Sequence, residues 1–185
     1  MLLRSMIVVI TGASKGIGKA VATEFAKKGY TLLLCSRGEA ALYNTVSELQ
    51  TAYPDATIKA RPADMSNEAD VTAFAAWCLE KGTPDIIINN AGHFVPGSIY
   101  NEAPGTLATM IESNLYSAYH LTRALLTPMM SAKKGHIFKL VDNEELILAS
   151  VATLHNEKEE KKAKTIGIHS YISKPFPPNI LLNVM

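Results

Sequence analysis

Along most of this chain, short apolar runs alternate with longer segments of helical period. Ile7-Val8-Val9-Ile10 leads into a glycine-rich turn, after which Ile17, Ala20, Val21, Glu24, Phe25 and Lys28 recur with the period of a helix that Gly29 stops. Thr31-Leu32-Leu33-Leu34-Cys35 reads as a second strand. Leu42, Val46 and Leu49 then form one stripe of a helix over Glu39 to Ala52. A third strand is expected over Thr57 to Arg61, a helix over Asn67 to Leu79 with Val71, Phe74, Ala75 and Cys78 turned inward, and a fourth strand over Asp85 to Asn89. The spacing predicts one long helix from Thr106 to Met130, with Leu107, Ile111, Leu115, Ala118, Leu121 and Leu125 as its apolar stripe and Pro128 in its last turn. Gly135-His136-Ile137-Phe138 opens a fifth strand. Strands that are apolar at consecutive positions must be buried on both faces, which implies a parallel sheet covered by helices on each side.

Beyond Leu140 the regularity fails. Asp142-Asn143-Glu144-Glu145 interrupts what should be strand, the mixed-charge run from Asn156 to Lys164 reads as a solvated helix face or loop, and Pro175, Pro177 and Pro178 break any helix near the end. The expected organisation is a single domain over 1–185, regular over 6–140 and irregular over 141–185. At 185 residues, 48% of them hydrophobic, the chain can build a real core but not a second full domain. A net charge of +1 gives no basic field to attract nucleic acid or an anionic membrane, so the expected partner is a small molecule. Cys35 and Cys78 lack metal-ligand spacing and fall in segments that read as buried; reduced thiols, a cytoplasmic location and no metal site are expected. The apolar opening from Met1 to Met6 runs into the glycine turn rather than a small-residue cleavage site, so no leader is expected. No stretch approaches the roughly 18 apolar residues that span a bilayer.

The turn itself carries the chemistry. In Thr11-Gly12-Ala13-Ser14-Lys15-Gly16-Ile17-Gly18, strand runs straight into helix. Gly12 permits the tight turn, Gly16 lets backbone approach a pyrophosphate, Gly18 allows close helix packing, and unpaired N–H groups at the helix start face the anion. A dinucleotide-binding, Rossmann-like doubly wound α/β fold in three layers is therefore expected. The end of the second strand discriminates between cofactors, because an acidic residue there would bind the adenosine ribose hydroxyls of NAD. Here it reads Cys35-Ser36-Arg37. The Arg37 guanidinium suits a 2′-phosphate and Lys15 adds a second cation, which favours NADP(H).

Over about residues 6 to 140 the sequence resembles the short-chain dehydrogenase/reductase family. The glycine turn from Thr11 to Gly18 looks like the family's cofactor signature, and Asn89-Asn90-Ala91-Gly92 after the fourth strand looks like its second hallmark. The resemblance implies that Gly12, Ser14, Lys15, Gly16, Ile17, Gly18 and Arg37 hold the cofactor, with the Asp64 carboxylate and the Met65 backbone at the adenine. Asn90, Ala91 and Gly92 would let backbone pass beside the nicotinamide ribose. Asn114 would bend the long helix through a water and join a proton relay. The family also supplies a serine at the end of its fifth strand and a tyrosine followed four residues on by a lysine, matched here by Ser150, Tyr171 and Lys174. Carbonyl reduction needs a proton donor beside the developing alkoxide; a phenol titrating near pH 10 serves once a neighbouring ammonium favours its ionised form, and a serine hydroxyl can hold the substrate oxygen.

The chain departs from that pattern. Ser150 lies farther from Gly135 than the family's fifth strand would place it. Tyr171 and Lys174 are three residues apart rather than four, and Pro175 pushes Lys174 out of helical conformation. The strands and substrate-covering helix that normally follow do not appear, so the fold is expected to be truncated or irregular at its C-terminal end. The leading expectation is an NADP(H)-dependent short-chain oxidoreductase interconverting a carbonyl and an alcohol on a small organic substrate. The alternative is a catalytically impaired or inactive dinucleotide-binding relative with a rearranged C-terminal segment. The resemblance implies a possible homo-oligomer through the helix over 106–130, the alternative being that the sheet covers its apolar stripe. His93 could line the substrate site; no histidine is assigned a catalytic task, and Ser98 and Ser113 lack the elbow of a hydrolase nucleophile.

Overall fold

The structure, a computed structural model, describes residues 5–140 and the backbone of Ala152 and Thr153. Ser150, Tyr171 and Lys174 lie outside the described residues. The strands are β1 Ile7–Thr11, β2 Thr31–Cys35, β3 Thr57–Ala60, β4 Ile86–Asn89, β5 His136–Lys139 and the two-residue β6 Ala152–Thr153. The helices are α1 Gly16–Lys27, α2 Glu39–Ala52, α3 Glu68–Lys81, α4 Thr106–Ile111 and α5 Ser117–Ser131. The sheet order is β3-β2-β1-β4-β5-β6. The first five strands are parallel, with Val9 level with Leu33 on one side and Ile87 on the other. β6 closes the far edge antiparallel, Ile137 opposite Ala152.

β1 is the centre of the sheet because all five of its residues are buried. Val8 and Ile10 pack with Val21, Phe25, Leu42 and Leu49 of α1 and α2. Ile7 and Val9 pack with Phe74 and Cys78 of α3 and Leu121 and Leu125 of α5. These two apolar layers complete the three-layer doubly wound architecture, each buried Leu, Ile or Phe contributing roughly 1.5–3 kcal/mol. The inward stripe expected for α3 is the observed one, Val71, Phe74, Ala75 and Cys78. That helix begins one residue late because Asn67 serves as its cap, Oδ1 accepting from the Ala69 and Asp70 N–H groups. At the opposite end of the sheet from the glycine turn, buried Asp85 accepts the Ile7 N–H at 2.9 Å and pairs with Lys134 Nζ at 2.5 Å.

The long helix expected from Thr106 to Met130 forms as one continuous helical run from Thr106 to Ser131. Residues 112–116 within it form a π turn between α4 and α5. A π turn carries an extra residue and rotates every side chain before it relative to those after it. Leu121 and Leu125 of α5 pack in the core, whereas α4 buries none of its residues, and Leu107 and Leu115 are 59% and 52% exposed. No helix among the described residues is long and apolar enough to cross a membrane.

Candidate functional site

The chain crosses from β1 to β2 on one side of the sheet and returns to β4 on the other, so the connections leaving the ends of β1 and β4 diverge. In open parallel sheets that divergence is where ligands bind. Every residue of the glycine turn gathers there. Gly12 and Gly16 take left-handed φ values of +66° and +55°. Space around Gly16 is open, whereas a Cβ on Gly18 would run into the Gly12 carbonyl and come within 2.5 Å of Asn90 Nδ2. The close packing expected of Gly18 is therefore against the turn and the β4 corner. Lys15 precedes α1 in extended conformation and gives no side-chain cap, so the first N–H groups of the helix have no side-chain acceptor. Such a helix start favours an anion. The Ala13 N–H donates to the Cys35 carbonyl at 3.0 Å, and Thr45 of α2 donates its hydroxyl to the Ser14 carbonyl at 2.9 Å. Turn, second strand and second helix are thus locked together, with Ile17 half-buried beneath.

At the end of β2, Ser36 is buried and Arg37 exposed, as is Lys15. Asp64 follows β3, and its Oδ1 accepts from both the backbone N–H and the hydroxyl of Ser66, at 3.0 and 2.7 Å. Partial burial opposes ionisation of Asp64. The two Ser66 bonds and the Arg37 charge outweigh it and hold the carboxyl below its ordinary value. Asp70 accepts the Asp64 N–H at 2.9 Å, fixing the turn that leads into buried Met65. Arg37 and Asp64 therefore share one electrostatic neighbourhood. Cys35, two residues before Arg37, is fully buried, and burial pushes its thiol up to about 12.

The second hallmark is built by long-range hydrogen bonds. Thr11 Oγ1 accepts from the N–H groups of Asn90 and Ala91 at 3.0 and 2.8 Å, while Asn90 Nδ2 donates to the carbonyls of Thr11 and Gly12 at 2.9 and 3.1 Å. The end of β1 and the corner after β4 are therefore one unit. Asn114, in the π turn, accepts the His93 N–H at 3.0 Å and donates to the His93 carbonyl at 2.6 Å and to Met110 at 2.8 Å. Its side chain clasps the backbone just beyond Gly92, where a Cβ would meet Asn114 Oδ1 at 2.5 Å. His93 itself is exposed.

Of the sequence-predicted residues, those of the turn, Arg37, Asp64, Met65, the Asn90–Gly92 corner and Asn114 all lie at the C-terminal edge of the sheet. Sequence reasoning missed Thr11, Thr45 and Ser66 as parts of that machinery. Thr11 and Thr45 act through partners 31 to 80 residues away, which no local pattern displays. Ser66, two residues after Asp64, was visible as an Asx-type turn. Among the described residues no group of three or more His, Cys, Asp or Glu side chains could hold a metal ion.

Comparison with known proteins agrees with this geometry. Residues 6–142 match the family model of the short chain dehydrogenases. An NADPH-dependent pterin aldehyde reductase of Arabidopsis thaliana is 33% identical over 135 residues, covering 72% of this chain and 54% of that protein. The structure superposes on an alcohol dehydrogenase from the archaeon Thermococcus sibiricus complexed with 5-hydroxy-NADP, with TM-score 0.72, 28% identity, and coverage of 78% of this chain and 62% of that one. It also superposes on a short chain dehydrogenase/reductase from Burkholderia phymatum in complex with NAD, with TM-score 0.71, 30% identity, and coverage of 77% and 50%. The chain spans about half the length of the curated relatives it matches.

Proposed function

Since this chain belongs to the short-chain dehydrogenase family, we propose that it is an NADP(H)-dependent oxidoreductase that interconverts a carbonyl and an alcohol on a small organic substrate. The observation that carries this reading is the uncapped start of α1 behind Gly12 and Gly16, flanked by Lys15 and by Arg37 where an NAD site would place a carboxylate. The donor set fits a dinucleotide: open backbone at Gly16 for the diphosphate, Ser14, Ile17 and Gly18 around it, and Asp64 with Met65 for the adenine. The Asn90-Ala91-Gly92 corner borders the nicotinamide ribose. The Arabidopsis relative's NADPH dependence and the 5-hydroxy-NADP complex support the phosphorylated coenzyme, although the NAD complex shows that the fold accommodates either form.

When bound, the reduced cofactor supplies hydride. The chain's own residues then handle the proton. The Tyr171 hydroxyl donates it to the substrate oxygen, the Lys174 ammonium draws the phenol towards neutral pH, Ser150 holds that oxygen, and Asn114 anchors the relay. A cytoplasmic location would keep the buried, free thiols of Cys35 and Cys78 reduced. The exposed face at Leu115, Tyr116 and Tyr119 is available to a second copy.

The spacing of Tyr171 and Lys174, with Pro175 next, favours a second reading: a relative that holds the dinucleotide without turnover. Consumption of NADPH measured with a panel of aldehydes and diketones separates the two. Turnover that Tyr171→Phe abolishes supports the oxidoreductase; turnover indifferent to Tyr171→Phe removes that proton donor. NADPH binding with no turnover on any carbonyl leaves the second reading in place.

A further inference from the structure

We propose that Lys139, at the last position of β5, is a positioning residue for the nicotinamide half of the site, clasping the corner through the Ala91 carbonyl. The inference rests on the dinucleotide-binding reading above. Register places Lys139 level with Asn89 on the neighbouring strand, and the Leu140 N–H continues the ladder to the Asn89 carbonyl at 3.0 Å. From there Lys139 Nζ reaches up and donates to Ala91 O at 3.3 Å. The lysine is half-buried, in a strand whose neighbours Ile137, Phe138 and Leu140 are buried. A long cationic side chain at that place loses rotamer freedom and some hydration, costs that a charge-assisted bond to a carbonyl offsets.

What the bond does follows from its partners. The corner is held from β1 by Thr11, which binds the N–H groups of Asn90 and Ala91, and from the π turn by Asn114, which binds both backbone groups of His93. Neither contact fixes the Ala91 carbonyl. Lys139 does so from β5, the third element bordering the corner, and thereby sets the tilt of the peptide joining Ala91 to Gly92. That peptide is the backbone assigned to the nicotinamide ribose. The adenosine end of the site, from the glycine turn to Asp64, is built by β1, β2 and β3, which β4 separates from Lys139 in the sheet. The lysine should therefore affect one half of the coenzyme and not the other.

The test compares Lys139→Met, which keeps length and loses the donor, with Lys139→Arg, which restores one. Dissociation constants for NADPH and for 2′,5′-ADP, which lacks the nicotinamide half, are measured by titration on the whole chain, alongside thermal unfolding. The expected result is NADPH weakened about tenfold in Lys139→Met, 2′,5′-ADP unchanged, and NADPH affinity recovered to within about threefold in Lys139→Arg. Unchanged NADPH affinity in Lys139→Met would overturn the proposal. So would an equal weakening of both ligands, since that is what a general loss of structure produces. A wild-type protein that binds neither ligand would instead overturn the dinucleotide reading on which the proposal depends.

Discussion

The two ends of the candidate site are built by different means. The glycine turn is local: eight consecutive residues, Thr11 to Gly18, carry strand end, reversal and helix start, and the backbone itself is the binding surface. The Asn90–His93 corner is assembled from a distance, its backbone groups held by Thr11, Asn114 and Lys139 from other parts of the chain. A local motif survives drift elsewhere, whereas an assembled corner fails when any of its remote supports is lost. The first end should therefore break through backbone sterics, the second through single side-chain hydrogen bonds.

Gly18→Ala gives the largest expected effect. Its methyl has no space between the Gly12 carbonyl and Asn90, so stability should fall by about 3 kcal/mol, read as a lower denaturant midpoint, with NADPH binding lost. Wild-type stability in this variant would mean that α1 and the turn are not in the close contact described. Next comes Thr11→Val, which keeps shape and volume but leaves the Asn90 and Ala91 N–H groups without their acceptor. About 2 kcal/mol of stability should be lost, and the binding of NADPH should weaken more than that of 2′,5′-ADP. Equal weakening would erase the distinction between the two ends.

Arg37→Ala then sharpens the comparison without touching the backbone. Arg37 is exposed, so the melting temperature should hardly move, while NADPH affinity falls about tenfold, roughly 1.4 kcal/mol, and NADH affinity stays as it was. The smallest change is expected from Asn67→Ala, which removes the cap of α3 beside the Asp64 turn but leaves the backbone bond from Asn67 to Asp64 in place. About 1 kcal/mol of stability should go, with coenzyme affinity intact once the protein is folded. A loss of affinity there would mean that the cap, and not only Asp70, sets the Asp64 turn.

The same division explains what could be read in the sequence. β1, β2 and α2 sit where periodicity places them, because continuous apolar runs and one-sided stripes are local signals. The turn was legible for the same reason, down to the left-handed reversal at Gly12. The π turn inside the long helix was not. Thr106 to Met130 shows an unbroken helical stripe, and the π turn at 112–116 coincides with Asn114 bonding to the backbone of His93, 21 residues earlier. Asparagine in a helix interior signalled something unusual there, but not its partner. Leu107 and Leu115 share the apolar stripe by phase, yet α4 buries none of its residues, so phase alone does not say which part of a stripe meets the core. Thr11 stood in full view inside the quoted motif, yet its hydroxyl works on residues 79 and 80 positions away. Lys139 left no pattern at all, being a lone cation at the end of a short strand.

The central claim is that the α1 start takes a diphosphate while Lys15 and Arg37 select the phosphorylated coenzyme. Competitive titration of the wild-type chain with NADPH and NADH addresses it directly. The account predicts that both bind at one site and that NADPH binds at least about tenfold more tightly; NADH binding as tightly as NADPH or more so, or no binding of either, would contradict it.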